Sequence, residues 1–183
     1  MVRLPFHMSR NKSMLLFPAV LLWLLSACRQ HFPVPANETV YLRQVGDIPF
    51  DAQLDDPAFK VCNENTARQY YNFGKGLMYR GEKVELKRFF QKNFRAQKGS
   101  KESGYVTVRF IVNCEGKTGM FRIMQIGRDF QVKHFSKNLV SQLSGLVAQL
   151  DGWIVGEQDG KTFDYYQYLT FKIEDGTITE ILP

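Results

Sequence analysis

Residues 104–114 read GYVTVRFIVNC. Val106, Val108, Phe110, Val112 and Cys114 fall on one side of an extended chain, and Thr107, Arg109 and Asn113 on the other. A two-residue period of this kind marks a strand with one buried face and one wetter face. The EGKTG stretch at 115–119 makes a tight connection, and Met120–Ile126 supplies a second strand, so the pair forms a hairpin. Two apolar sets on the second strand compete for the core, Phe121 with Ile123, or Met120 with Met124 and Ile126.

Downstream the period changes. Over 131–150 the apolar positions Val132, Phe135, Leu139, Leu143, Leu146 and Leu150 recur at steps of three and four, which is one stripe of an amphipathic helix closed by Asp151 and Gly152. Thr162–Ile173 alternates again: Phe163, Tyr165, Leu169, Phe171 and Ile173 oppose Thr162, Asp164, Tyr166, Tyr168, Thr170 and Lys172. After a break at 174–176, Thr177–Leu182 supplies a short terminal strand.

Upstream, Glu82–Arg95 spaces Val84, Leu86, Phe89, Phe90 and Phe94 for a helix. Glu82 and Glu85 come early and Lys92 and Arg95 late, matching the helix dipole, with Gly81 as N-cap. A further short helix is expected near 65–73. The order helix, strand, strand, helix, strand implies an α+β fold, a small antiparallel sheet of three to four strands with helices on one face.

The first 27 residues belong to a different regime. Residues 1–13 are basic and lack acids, residues 14–25 (MLLFPAVLLWLL) are apolar, and Ser26, Ala27 and Cys28 follow. This is the order of a secretory signal, and the apolar run is short of the roughly 20 residues that cross a bilayer. A membrane anchor or a buried helix is the alternative. The LSAC stretch at 25–28 resembles the lipobox of bacterial lipoproteins, which implies cleavage before Cys28 and lipidation of that cysteine. Acyl chains then hold the protein on a membrane. Arg29, where an aspartate would favour the inner membrane, makes the outer membrane the expected address. The domains expected are thus a cleaved signal over 1–27, a tether over 28–56 containing Pro33, Pro35 and Pro49, and a folded domain over 57–183 with its core at 80–183.

The 183 residues carry a net charge of +6. Arg3, Arg10 and Lys12 precede Cys28 with no acid beside them, which leaves +3 for residues 28 onward. So small an excess argues against a polyanion-binding surface, and no nucleic-acid partner is expected. The chain has no GxSxG, HExxH or phosphate-cradling glycine loop, and after Cys28 it has only His31 and His134. No metal, cofactor or catalytic residue is expected, and no enzymatic activity. With Cys28 lipidated, Cys62 and Cys114 remain. In an oxidising compartment an even number of cysteines usually pairs, two unpaired buried thiols being the alternative.

Several spaced motifs occur in order: GYVTVRFIVN at 104–113, Gly116-Lys117, a helix closing in LDGW at 150–153, Gly156, Gly160-Lys161, YLTFKI at 168–173 and Gly176-Thr177-Ile178. This series resembles the TonB C-terminal domain family over about residues 80–183. The resemblance implies a domain without chemistry of its own, which binds an extended segment of a TonB-dependent outer-membrane transporter by adding it as a strand to a sheet edge. Carried onto this sequence, the edge is Phe171, Ile173, Thr177, Ile178, Thr179 and Ile181, and Trp153 matches the family tryptophan, read here as core filler. Val155-Gly156 stands where the family has Pro-Gly. An energy transducer keeps an uncleaved inner-membrane helix and a long spacer. The expectation here is therefore an interaction module on a lipid anchor, facing the periplasm. An open edge also admits a homodimer by strand exchange, and a structural lipoprotein with a closed sheet is the alternative.

Overall fold

The computed structural model describes residues 47–63, 67–73, 76–97 and 99–182. The expectations for the signal, for Cys28 and for residues 29–46 lie outside the described residues. Within them the elements run β1 (Arg68–Gln69), a 3-10 turn (Tyr70–Phe73), α1 (Glu82–Asn93), β2 (Gly104–Val112), β3 (Thr118–Ile126), α2 (Lys137–Ala148), β4 (Gly156–Gln158), β5 (Lys161–Phe163), β6 (Tyr165–Glu174) and β7 (Thr177–Leu182). The fold is α+β. Among the described residues no helix is long and apolar enough to cross a membrane.

β6 organises the main sheet. It pairs antiparallel with β2 along one side, from Gly104↔Ile173 to Val112↔Tyr165, and β3 continues beyond β2. The other side of β6 is shared by β1, parallel at Tyr165 and Tyr166, and β7, antiparallel from Thr170↔Leu182 to Glu174↔Thr177. The sheet is therefore five-stranded and mixed, not the antiparallel sheet of three to four strands that periodicity suggests. The extra strand is β1, two residues long and too short to leave a pattern. It and the 3-10 turn replace the helix expected near 65–73. β4 and β5 form a separate small hairpin.

Both helices share a single apolar core with the sheet. Leu86 and Phe90 of α1, and Leu139, Leu143 and Leu146 of α2, meet Val106, Val108, Phe110 and Val112 of β2 and Leu169, Phe171 and Ile173 of β6. The helix expected over 131–150 starts later, at Lys137, because Ser136 caps it: its hydroxyl accepts the Leu139 N–H at 3.5 Å and donates to Glu102 at 2.8 Å. Phe135 still reaches the core, whereas Val132 lies in the preceding loop and is exposed, as is Val84 on α1. Trp153 is buried with its ring against Tyr79 and Phe110, at centroid distances of 4.9 and 5.1 Å.

β3 follows neither of the two apolar sets. Arg109 pairs with Arg122 and Ile111 with Gly119, so Met120 and Phe121 together oppose Phe110 in a bulge. Met120, at φ 56°, turns to the second face of the sheet, while Phe121 packs toward the helices. Gly119 is required there, because a Cβ would meet the Phe59 ring at 2.4 Å. Ile123 and Met124 beyond the bulge are both exposed.

Residues 47–56, expected in the tether, pack on that second face. Ile48 joins Ala67, Ile111, Met120 and Tyr166 in a smaller apolar cluster flanked by Phe59 and Val61. The folded unit therefore begins earlier than residue 57.

Candidate functional site

The β6–β7 hairpin turns through Asp175 and Gly176, whose φ values of 48° and 73° are those of a two-residue turn matched to strand twist. Its tip is tied down: the Gly176 N–H donates to Glu102 O at 2.8 Å and the Asp175 N–H to Ser103 Oγ at 3.1 Å. Pairing then runs up the hairpin with one irregularity. Ile173 faces Ile178 and Lys172 faces Glu180, which leaves Thr179 without a cross-strand partner, its hydroxyl donating to Lys172 O at 3.3 Å. On the outer side Lys172 also bonds Glu174 at 3.1 Å, and that hydrogen bond raises the lysine's pKa.

This geometry divides the six residues expected to form the partner-binding edge. Phe171 and Ile173 lie in the middle of the sheet, fully buried, and β6 is paired with β2 on one side and β7 on the other. They are not an edge. The chain's own terminal strand occupies the position where an added strand would lie on β6. Thr177, Ile178, Thr179 and Ile181 belong to β7, and among the described residues β6 is the only strand paired with it. The edge has thus moved outward by one strand.

β7 also forms a wall. Thr177–Ile181 on one side and Lys87, Phe90, Gln91, Phe94 and Ala96 on the other bound a groove of about 310 Å³. Phe94 is held at its rim because Gln142 of α2 clamps the residue that follows. The Arg95 N–H donates to Gln142 Oε1 at 2.5 Å, and Gln142 Nε2 donates to Arg95 O at 3.0 Å. The floor is apolar, since Phe90 and Ile181 are buried and Ile178 packs against the same core. An extended segment bonded to the outer edge of β7 would place alternate side chains over this floor.

A larger cleft of about 730 Å³ lies between residues 54–59, the turn and start of β3, and Leu150-Asp151. Its carboxylates include Asp55, which Arg122 already holds.

Cys62 and Cys114 stand at bonding distance, their sulfurs 2.08 Å apart and their Cα atoms 6.0 Å apart. Asp164 is the residue that sequence reasoning missed here. The alternation assigned it to an outward face, yet it is fully buried, between β5 and β6, and it splits the expected third strand. Its Oδ2 accepts the Asn63 N–H at 2.7 Å and its Oδ1 the Cys114 N–H at 2.8 Å. The signal was present in one respect: a carboxylate inside a run of aromatic residues must find donors if it is buried.

Compared with protein-family models, curated proteins and solved structures, the chain matches none.

Proposed function

We propose that this chain is a lipid-anchored, non-catalytic protein of the bacterial cell envelope whose C-terminal domain, similar to TonB C-terminal domains, captures an extended segment of an outer-membrane transport protein by strand addition. The observation that carries the proposal is the outer edge of β7, unpaired among the described residues, running along an apolar groove whose other wall is α1. Backbone pairing would supply affinity, and the groove would select side chains at alternate positions. Lipidation at Cys28, with the oxidised Cys62–Cys114 pair, fits a periplasm-facing location, and the outer membrane is favoured by Arg29.

Retention of the 29–183 fragment on immobilised TonB-box-like peptides tests this reading. Gln91→Trp, which fills the groove from the solvent side of α1, should reduce retention about tenfold, the cost of one lost anchor pocket. Unchanged retention, or none by the wild type, would refute the proposal.

A second reading, a structural lipoprotein with a closed sheet, is favoured by the bulge at Thr179, since bulges blunt edges. Amide exchange separates the two. On adding an envelope extract, slowed exchange at outward-facing amides of 177–182 supports strand addition, and unaltered exchange the closed sheet.

A further inference from the structure

The Cys62–Cys114 bond lies in an unusual setting. Cys62 is exposed and Cys114 half-buried, which puts the bond at the surface of the fold. Exposed disulfides are ordinarily the labile ones. Behind this one, however, stands a fully buried carboxylate: an oxygen of Asp164 and both sulfurs all lie within 4.8 Å of one another.

Asp164 accepts backbone N–H groups through both of its oxygens, one from Asn63, next to Cys62, and one from Cys114 itself. Two donors on two oxygens suit the ionised, acceptor-only form. Its own carbonyl accepts the Arg68 N–H at 3.0 Å, which ties the same residue to the start of β1. The lysines closest in sequence to the two cysteines are engaged elsewhere, Lys117 with Glu115 at 2.7 Å and the Lys60 ammonium with Pro57 O at 3.1 Å. The Arg68 guanidinium bonds Gln158 and lies 4.6 Å from the centroid of the Phe163 ring.

We propose that Asp164 guards the Cys62–Cys114 disulfide, holding the two cysteine segments together while its charge repels anionic thiols from a bond that solvent can reach. In reduction, a thiolate attacks one cysteine sulfur, the S–S electron pair leaves on the other as a thiolate, and a second thiol resolves the mixed disulfide. The products are two cysteine thiols and the oxidised reductant. Both the attacking and the departing thiolate must carry negative charge beside Asp164, so the carboxylate opposes each step. The proposal is independent of the peptide-binding reading.

The test is the rate of native-state reduction of the full chain, followed by thiol labelling, with cationic cysteamine and anionic 2-mercaptoethanesulfonate. The ratio of the two rates is compared with the ratio for oxidised mercaptoethanol, a small neutral disulfide. The guard predicts a wild-type ratio about tenfold higher than this reference, the size expected for a charge a few ångströms from the reacting sulfurs. Asp164→Asn should bring the ratio back to the reference, and Asp55→Asn, which removes a buried carboxylate elsewhere, should leave it at the wild-type value. A wild-type ratio equal to the reference, an unchanged ratio in Asp164→Asn, or an equal fall in Asp55→Asn would each overturn the proposal. If Asp164→Asn does not fold, salt and a second variant decide the matter. The ratio must then stay well above the reference in about 0.5 M sodium chloride, which screens exposed charges more than buried ones. It must also stay there in Glu115→Gln, which removes the exposed carboxylate beside Cys114, and a ratio that falls to the reference in either case overturns the guard.

Discussion

Arg122 holds Asp55 with two prongs across 67 residues of chain, Nη1 donating to Oδ1 and Nη2 to Oδ2, each at 2.7 Å. The Asp55 side chain is 1 % exposed and that of Arg122 26 % exposed. Arg122 Nη2 also donates to Pro49 O at 2.7 Å. One guanidinium on β3 thereby fastens the segment ahead of β1 to the second face of the sheet.

Asp55→Asn should lower the unfolding free energy by about 2 kcal/mol, the range for breaking a largely buried pair when one partner keeps some solvent. Urea denaturation at pH 7 measures it. The hydrogen bond from Arg122 holds the Asp55 carboxyl below its ordinary pKa. The stabilisation it gives is therefore complete above the unfolded-state value of about 3.9 and is lost as pH falls through the lower folded-state value. Acid titration of stability should be flatter in Asp55→Asn than in the wild type below about pH 4.

Replacing both Cys62 and Cys114 by Ala should cost about 4 kcal/mol in the chain-entropy account of a loop closed over 52 residues. Thermal unfolding with and without reductant checks it. Reductant should lower the wild-type midpoint and leave that of the double variant unchanged.

Leu143→Ala should destabilise by about 3 kcal/mol, since Leu143 is fully buried between α2 and the sheet and a cavity would remain. The denaturation midpoint reads this directly. The loss should exceed that for Val84→Ala, because Val84 is 64 % exposed.

Gly176→Ala should cost about 1 kcal/mol for the left-handed backbone alone. It should cost more in practice, because the new Cβ would meet Ser100 Cβ at 2.5 Å. Amide exchange should localise the loosening to β7, with the amides of β2 retaining their protection.

Legibility tracked how many faces of each segment are covered. β2 has one face under the helices and one half-open, so its alternation was plain in the sequence, as were the stripes of α1 and α2. Over 163–167 both faces are covered, and Phe163, Asp164, Tyr165, Tyr166 and Gln167 are all buried, so the period disappears and with it the break at Asp164. β3 defeated the reading for another reason: a bulge at Met120 and Phe121 switches sides partway, and no fixed period survives that. The position of β7 was legible, but not which side of it stays open, because that depends on β6 being paired twice.

β6 meets β1, β2 and β7, yet it is made after both β1 and β2. A polypeptide cut before Tyr165 keeps β1 and the β2–β3 hairpin but loses the strand that pairs with both β1 and β2. Made amino end first, the chain cannot complete the main sheet until β6 has emerged. The sheet then closes around that one strand, so losing β6 removes the partner of three others at once.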